Sequence, residues 1–166
     1  MAVTLRPVMP GDERILAEIQ VASWKAAFSQ ILAPEILREY TDFARLEEMY
    51  RNILASPELH LTLELVNDVP HGLAAWSASR DGEAETAELI CIHSRPSNWS
   101  KGYGAALMRH VFLEMENADF SCASLWVFAE NYRARRFYEA LGFAPTGATQ
   151  ISFGCEEMQY KKSLTK

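Results

Sequence analysis

The sequence predicts one α/β domain built on a mixed β-sheet, and three observations carry that prediction. Apolar residues recur at helical spacing as far as Pro57 and alternate from His60 onward, so the period changes from 3.6 to 2. Three alternating segments then follow one another through tight turns, which implies an antiparallel meander. The rest reads helix, strand, helix, strand, strand, an order that packs helices against a sheet. With 166 residues, 49% of them hydrophobic, the chain has material for one core and little room for a second domain.

Each element has its own signature. Val3 to Arg6 is a short strand stopped by Pro7, and Gly11-Asp12 offers a helix start with Asp12 as cap. Ile15, Ile19, Ala22 and Ala26 recur at helical spacing, giving an amphipathic helix to about Ser29. Pro34 and the run Glu35 to Tyr40 mark a short second helix, and Leu46, Met49, Tyr50 and Ile53 line one face of a third. His60 to Val66 alternates Leu61, Leu63 and Leu65 as a half-buried strand does. Asn67-Asp68-Val69-Pro70 turns into a second strand, Gly72 to Ser79, and Asp81-Gly82 turns into a third, Ala87 to His93. After the loop Ser94 to Lys101, a helix from about Gly102 to Glu116 carries Leu107, Met108, Val111, Phe112 and Met115 on its apolar stripe. Ser124 to Phe128 is a strand, and Asn131 to Leu141 is a helix closed by Gly142. Strands near Thr149 to Phe153 and Glu157 to Lys161 end the pattern.

Composition narrows the function classes. The net charge of −6 argues against a nucleic-acid-binding face. Residues 1–100 hold 8 Lys/Arg against 15 Asp/Glu, whereas residues 101–166 hold 8 against 7, so the second part tolerates an anionic ligand better. No apolar run approaches the roughly 18 residues of a membrane span, and the N-terminus lacks the apolar region of a secretory signal. Cys91, Cys122 and Cys155 have no disulfide-framework spacing, so the expected location is the reducing cytoplasm. His60, His71, His93 and His110 are scattered, and Cys91-Ile92-His93 is too isolated for a zinc site, so no metal is expected.

The most informative segment is Pro96-Ser97-Asn98-Trp99-Ser100-Lys101-Gly102-Tyr103-Gly104-Ala105-Ala106-Leu107. It follows a strand and opens a helix, where backbone N–H groups and the helix dipole favour an anion. Gly102 and Gly104 remove side chains that would block a ligand's approach to the backbone, as a diphosphate cradle requires. A dinucleotide fingerprint needs a third glycine, and a P-loop needs Gly-Lys-Ser/Thr; neither is present. Tight helix packing at Gly104 and Ala105 explains this loop equally well when it is taken alone.

A second segment breaks the tie: Leu125-Trp126-Val127-Phe128-Ala129-Glu130-Asn131-Tyr132-Arg133-Ala134-Arg135-Arg136-Phe137-Tyr138-Glu139-Ala140-Leu141-Gly142-Phe143. Together the two blocks resemble the GCN5-related N-acetyltransferase (GNAT) family. The first resembles its motif A, Gln/Arg-x-x-Gly-x-Gly/Ala, and the second its motif B, a strand followed by Asn-x-x-Ala-x-x-Phe-Tyr-x-x-Leu-Gly-Phe. One departure is that the family's Gln/Arg falls on Trp99. The resemblance covers nearly the whole chain, residues 1–166 as one N-acetyltransferase domain. It implies an α/β GNAT fold with a mixed, mostly antiparallel sheet of six to seven strands flanked by helices, in the order β-α-α-β-β-β-α-β-α-β-β.

The resemblance also implies roles. Acetyl-CoA is the expected co-substrate, its pyrophosphate cradled by N–H groups of Lys101, Gly102, Tyr103, Gly104 and Ala105. The Lys101 side chain reads equally as a charge-assisted contact and as a solvated lysine. Backbone groups of Ile92, His93 and Ser94 are expected to meet the pantetheine arm, His93 as a neighbour rather than a catalyst. Asn131 is an N-cap that also reaches the cofactor. Tyr138 is the expected acid that protonates the CoA thiolate, since a phenol is neutral at pH 7. Glu88 is the expected base, directly or through water, with charge alternation at a strand end an equal alternative and Glu64 and His71 weaker candidates. N–H groups near Ile92 are the expected polarisers of the thioester carbonyl. Alternation turns Cys91 into the core, against an acyl-enzyme.

The function so implied is transfer of an acetyl group to the primary amine of a small molecule. The acceptor is expected between the first helices and the strand ends, beside Trp24, Phe28, Tyr40 and Tyr50, with Glu35, Glu39 and Asp42 suited to a polyamine or an aminoglycoside. The alternatives are a peptide N-terminal acetyltransferase and a non-catalytic acetyl-CoA-binding regulatory module. No nucleic-acid or membrane partner is expected, and the family makes a homodimer an expectation.

Overall fold

The computed structural model describes residues 2–164, in the order β1 (Val3–Pro7), α1 (Glu13–Phe28), α2 (Pro34–Tyr40), α3 (Phe43–Leu54), β2 (His60–Val66), β3 (Val69–Ala78), β4 (Thr86–Ser94), α4 (Tyr103–Asn117), β5 (Cys122–Phe128), α5 (Tyr132–Ala140), β6 (Ala144–Ser152) and β7 (Cys155–Ser163). A 3₁₀ turn, Pro96–Asn98, interrupts the loop before α4. Three helices thus stand between β1 and β2, one more than the family order. The seven strands form one sheet in the order β1-β2-β3-β4-β5-β7-β6. Every neighbouring pair is antiparallel except β4 and β5.

Alternation along the strands sorts apolar side chains onto two faces. On one, Leu107, Met108, Val111 and Met115 of α4 meet Ala74, Trp76, Leu89 and Leu125, with Tyr138 and Phe143 closing the same core. On the other, Leu16 and Ile19 of α1 and Leu46 and Tyr50 of α3 pack on Leu63 and Leu73. Truncating Leu107, which is 1% exposed, to alanine would cost about 2–5 kcal/mol.

Local chemistry sets the element ends. The Asp42 carboxylate accepts from Arg45 N (2.9 Å) and starts α3, and Asn131 Oδ1 accepts from Ala134 N (3.3 Å) and starts α5. Gly142 has φ +96°, the left-handed conformation that ends a helix without a Cβ clash. Asp12 stands before α1 but makes no side-chain cap there. Arg6 takes its carboxylate instead, at 2.8 and 3.0 Å, and Met9 N also donates to it. A charged partner and a turn amide thus replace the expected cap. The last two strands are longer than the alternation predicts. β6 is exposed along almost its whole length, so it carries no apolar period to read.

Candidate active site

The parallel pair β4–β5 is joined only over Thr86–Leu89 and Cys122–Leu125. Beyond Leu89 the two strands separate while β4 stays paired to β3 as far as Ser94. A register shift puts Ala75 opposite Cys91 and Trp76 opposite Leu89, which leaves Ile90 as an extra residue in β4. Such a bulge bends its strand, and here it coincides with the point of separation. The result is a gap between β4 and β5 whose β4 edge holds Ile92, His93 and Ser94, three of the residues the sequence singles out.

The loop after β4 leads from this gap to the start of α4. Ser100 and Gly102 both have positive φ, +62° and +87°. Alternation of this kind turns successive N–H groups toward one concave side. Gly104 and Ala105 lie in the first helical turn, where N–H groups have no carbonyl of their own helix to meet. The two glycines do different work. A Cβ on Gly102 would meet nothing within 4 Å, so its left-handed backbone is what requires glycine. A Cβ on Gly104 would come within 3.3 Å of the Phe137 ring, so its bare face lets α4 approach α5. Lys101 Nζ donates to Asn98 Oδ1 at 3.2 Å within the same loop.

Trp99, the departure from the family motif, is anchored rather than loose. Its Nε1 donates to Ser94 Oγ at 2.9 Å, and the Arg133 guanidinium lies 3.6 Å from its ring centroid. The stack links the loop to the first turn of α5 and is a cation–π contact. Asn131 caps that same helix.

Tyr138 follows on α5, 8% exposed and packed against Phe137 and Phe143. Burial, reinforced by the nearby Cys91 thiol of β4, pushes its phenol well above the usual tyrosine range. Ile92 of β4 packs against the same core cluster, so Tyr138 belongs to the packing beside the gap. Cys91 itself is pushed up to about 12, chiefly by burial, so it is a thiol and not a thiolate nucleophile. His93 is pushed down to about 4 by burial and stays neutral.

Glu88 sits below the gap, in the paired part of β4, opposite Ser77 and Ser124. It is 2% exposed, and Arg80 holds it from three atoms: Nη2 (2.6 Å), Nε (3.1 Å) and the backbone N (3.0 Å). The weaker candidates Glu64 and His71 lie together on the α4 face of the sheet, 4.0 Å apart. Burial pushes Glu64 up to about 7 and, with Arg95 and Lys101 adding to it, holds His71 below its ordinary value.

Near the gap, α1 and α2 meet the β6–β7 turn. Trp24 stacks on Tyr40 (5.7 Å) and meets Phe28 (5.1 Å), His93 (6.3 Å) and Phe153 (6.0 Å) edge-on. Phe153 was not among the expected residues. It occupies a two-residue turn with φ +52°, ahead of Gly154, and its ring lies 4.8 Å from that of Tyr40. The only sequence signal was the glycine that follows it. Tyr50 does not join this group: it is 2% exposed in the α1–α3 core, where it bonds Gln20 Oε1 at 2.5 Å. The acidic residues of this region are engaged as well. Glu35 pairs with Arg38 and Glu39 with Arg45, and Asp42 caps α3.

Comparisons with known proteins match this geometry. The family model of the acetyltransferase (GNAT) family matches residues 26–143. No curated protein matches the sequence. Among solved structures, the chain is similar to the PaiA N-acetyltransferase of Thermoplasma acidophilum in complex with coenzyme A, at 19% identity and TM-score 0.77, with 98% of this chain and 99% of that one covered. It is also similar to a ribosomal-protein alanine N-acetyltransferase from Escherichia coli (17% identity, TM-score 0.73, 99% and 96% covered). A chimeric spermidine N-acetyltransferase SpeG from Vibrio cholerae aligns at 20% identity and TM-score 0.73, with 99% and 96% covered. The chain belongs to the GNAT family and is an acetyltransferase that uses acetyl-CoA.

Proposed function

We propose that this enzyme transfers the acetyl group of acetyl-CoA to the primary amine of a small molecule by direct attack. The observation that carries this reading is Tyr138: a buried phenol in the core cluster against which Ile92 of β4 packs, kept protonated by its surroundings. It holds a proton for the departing thiolate throughout the working pH range, as a general acid must. The gap between β4 and β5 fits a pantetheine arm, whose amides would meet backbone groups of Ile92, His93 and Ser94. Lys101, Gly102, Tyr103, Gly104 and Ala105 would hold the pyrophosphate, and Asn131 the arm's far side.

Glu88 is the proposed base. Three hydrogen bonds from Arg80 orient it, and a water relay carries the amine proton down from the gap. N–H groups near Ile92 polarise the thioester carbonyl. Cys91 takes no covalent part, because its thiol is too weak an acid to ionise.

The acceptor would enter beside Trp24, Tyr40 and Phe153. Spermidine is the substrate named for the Vibrio cholerae neighbour, but Glu35, Glu39 and Asp42 are here committed to Arg38, Arg45 and a helix cap. The rings of Trp24, Tyr40 and Phe153, with the Arg45 guanidinium 4.6 Å from the Tyr40 centroid, favour an amine with one cationic group and an apolar body. A peptide N-terminus, as in the Escherichia coli neighbour, is the second reading. The test is thiol release from acetyl-CoA with arylalkylamines, polyamines and short peptides as acceptors. Turnover with the arylalkylamines above all is expected. Turnover with peptides alone moves the function to protein N-termini, and none with any amine leaves the regulatory reading.

A further inference from the structure

Under the cofactor loop lies a carboxyl group for which the acetyl transfer has no use. Glu64 of β2 is 0% exposed, and neither of its oxygens has a hydrogen-bond partner among the described residues. Buried polar groups in folded proteins are paired with few exceptions, and an exception calls for a reason. His71 of β3 lies beside it, 2% exposed, with Nε2 4.0 Å from Glu64 Oε1. Gly72 makes room for the pair, because a Cβ there would lie 3.3 Å from Glu64 Oε1 and 3.2 Å from His93 O.

From His71 a polar path runs up to the loop. His71 Nδ1 lies 3.4 Å from Asn98 Nδ2, and Asn98 Oδ1 accepts from Lys101 Nζ at 3.2 Å. The Tyr103 ring meets the imidazole edge-on at 5.3 Å, and Arg95 N donates to His71 O at 2.9 Å. The charged and titratable groups around the pair are therefore Arg95 and Lys101 from the loop and Tyr103 from α4, with Glu18 of α1 reaching it only through its 3.6 Å pair with Arg95. Opposite Glu64, β1 offers Leu5.

We propose that Glu64 and His71 are positioning residues for the cofactor's diphosphate, taking up a proton as it binds and acting on it through Asn98 and Lys101. In the free enzyme Lys101 and Arg95 oppose a further positive charge on the imidazole, so Nδ1 stays bare and accepts from Asn98. A diphosphate over the loop offsets those cations, and a proton from solvent joins Nδ1. The new N–H needs an acceptor, so the Asn98 amide turns its oxygen from Lys101 to His71. Lys101 Nζ is thereby released to the diphosphate. The imidazolium, in turn, gives the Glu64 carboxylate the counter-charge it lacks.

The test is calorimetry of acetyl-CoA binding at pH 7.5 in buffers of different ionisation heat, on the wild type, Glu64→Gln and His71→Gln. It reads cofactor binding alone, so it is independent of which acceptor the enzyme uses. The wild type is expected to take up about half a proton, and its Kd to weaken about tenfold from pH 6.5 to 8.5 by linkage. Both variants should lose the uptake and most of that pH dependence. The cofactor's own 3′-phosphate, with a second pKa of about 6, contributes equally to all three and cancels in the difference. A wild-type uptake no larger than that of the variants overturns the proposal. If one variant fails to fold, the other decides.

Discussion

The two ends of β4 differ in burial and in pairing. Thr86–Leu89 is buried and pairs with a neighbour on each side, and within it Glu88 is held by Arg80. Ile90–Ser94 is half-buried and has a strand on one side only. A single extra residue, Ile90, separates the two regimes. Strand edges left open are normally a liability. Here Trp99 bonds Ser94 at the end of that edge and stacks on Arg133 of α5, and the proposed role of the edge is a slot for an extended, amide-bearing ligand. The same strand thus fixes a carboxylate rigidly at its paired end and offers backbone groups at the other.

Breaking each end should give different signatures. The largest effect is expected at the open end: Tyr138→Phe should lower kcat about 10³-fold with the Kd of acetyl-CoA unchanged, read by steady-state rates and titration. At the paired end, Glu88→Gln should lower kcat/KM about 10²-fold, read by steady-state rates. The loop glycines sharpen the contrast further. Gly102→Val should weaken acetyl-CoA binding about tenfold by straining a φ of +87°. Gly104→Val should instead lose about 1–3 kcal/mol of stability in denaturant melts by pressing on Phe137.

The smallest effect concerns pH. Glu64 rises from 4.5 to about 7 on folding, so the native state binds more protons than the unfolded chain between those values. Stability contributed at low pH is therefore lost as pH rises through that window. Glu64→Gln should stabilise the protein by roughly 2 kcal/mol at pH 8 and by little at pH 4.5, read from thermal melts at both.

Much of the fold is legible in the sequence. β2 was readable to the residue because Leu61, Leu63 and Leu65 alternate without interruption. The loop and α5 were legible because glycine, asparagine and an aromatic pair recur there at fixed spacing. The acceptor side was not. Tyr50 and Tyr40 look alike in sequence, yet one bonds Gln20 in the core and the other stacks on Trp24, a choice made by tertiary packing. Phe153 ends the apolar stretch that reads as a strand yet lies in the turn beyond it, and the Arg80 clamp on Glu88 depends on a hairpin that brings residues eight apart together. Sequence periodicity reports which face is apolar, not which partner meets it.

The most direct test of the account is amide hydrogen exchange along β4 with and without saturating acetyl-CoA. The account predicts added protection for amides within residues 90–94 and no change for residues 86–89. Saturating binding that leaves residues 90–94 unprotected would contradict it, because the cofactor would then lie outside the gap.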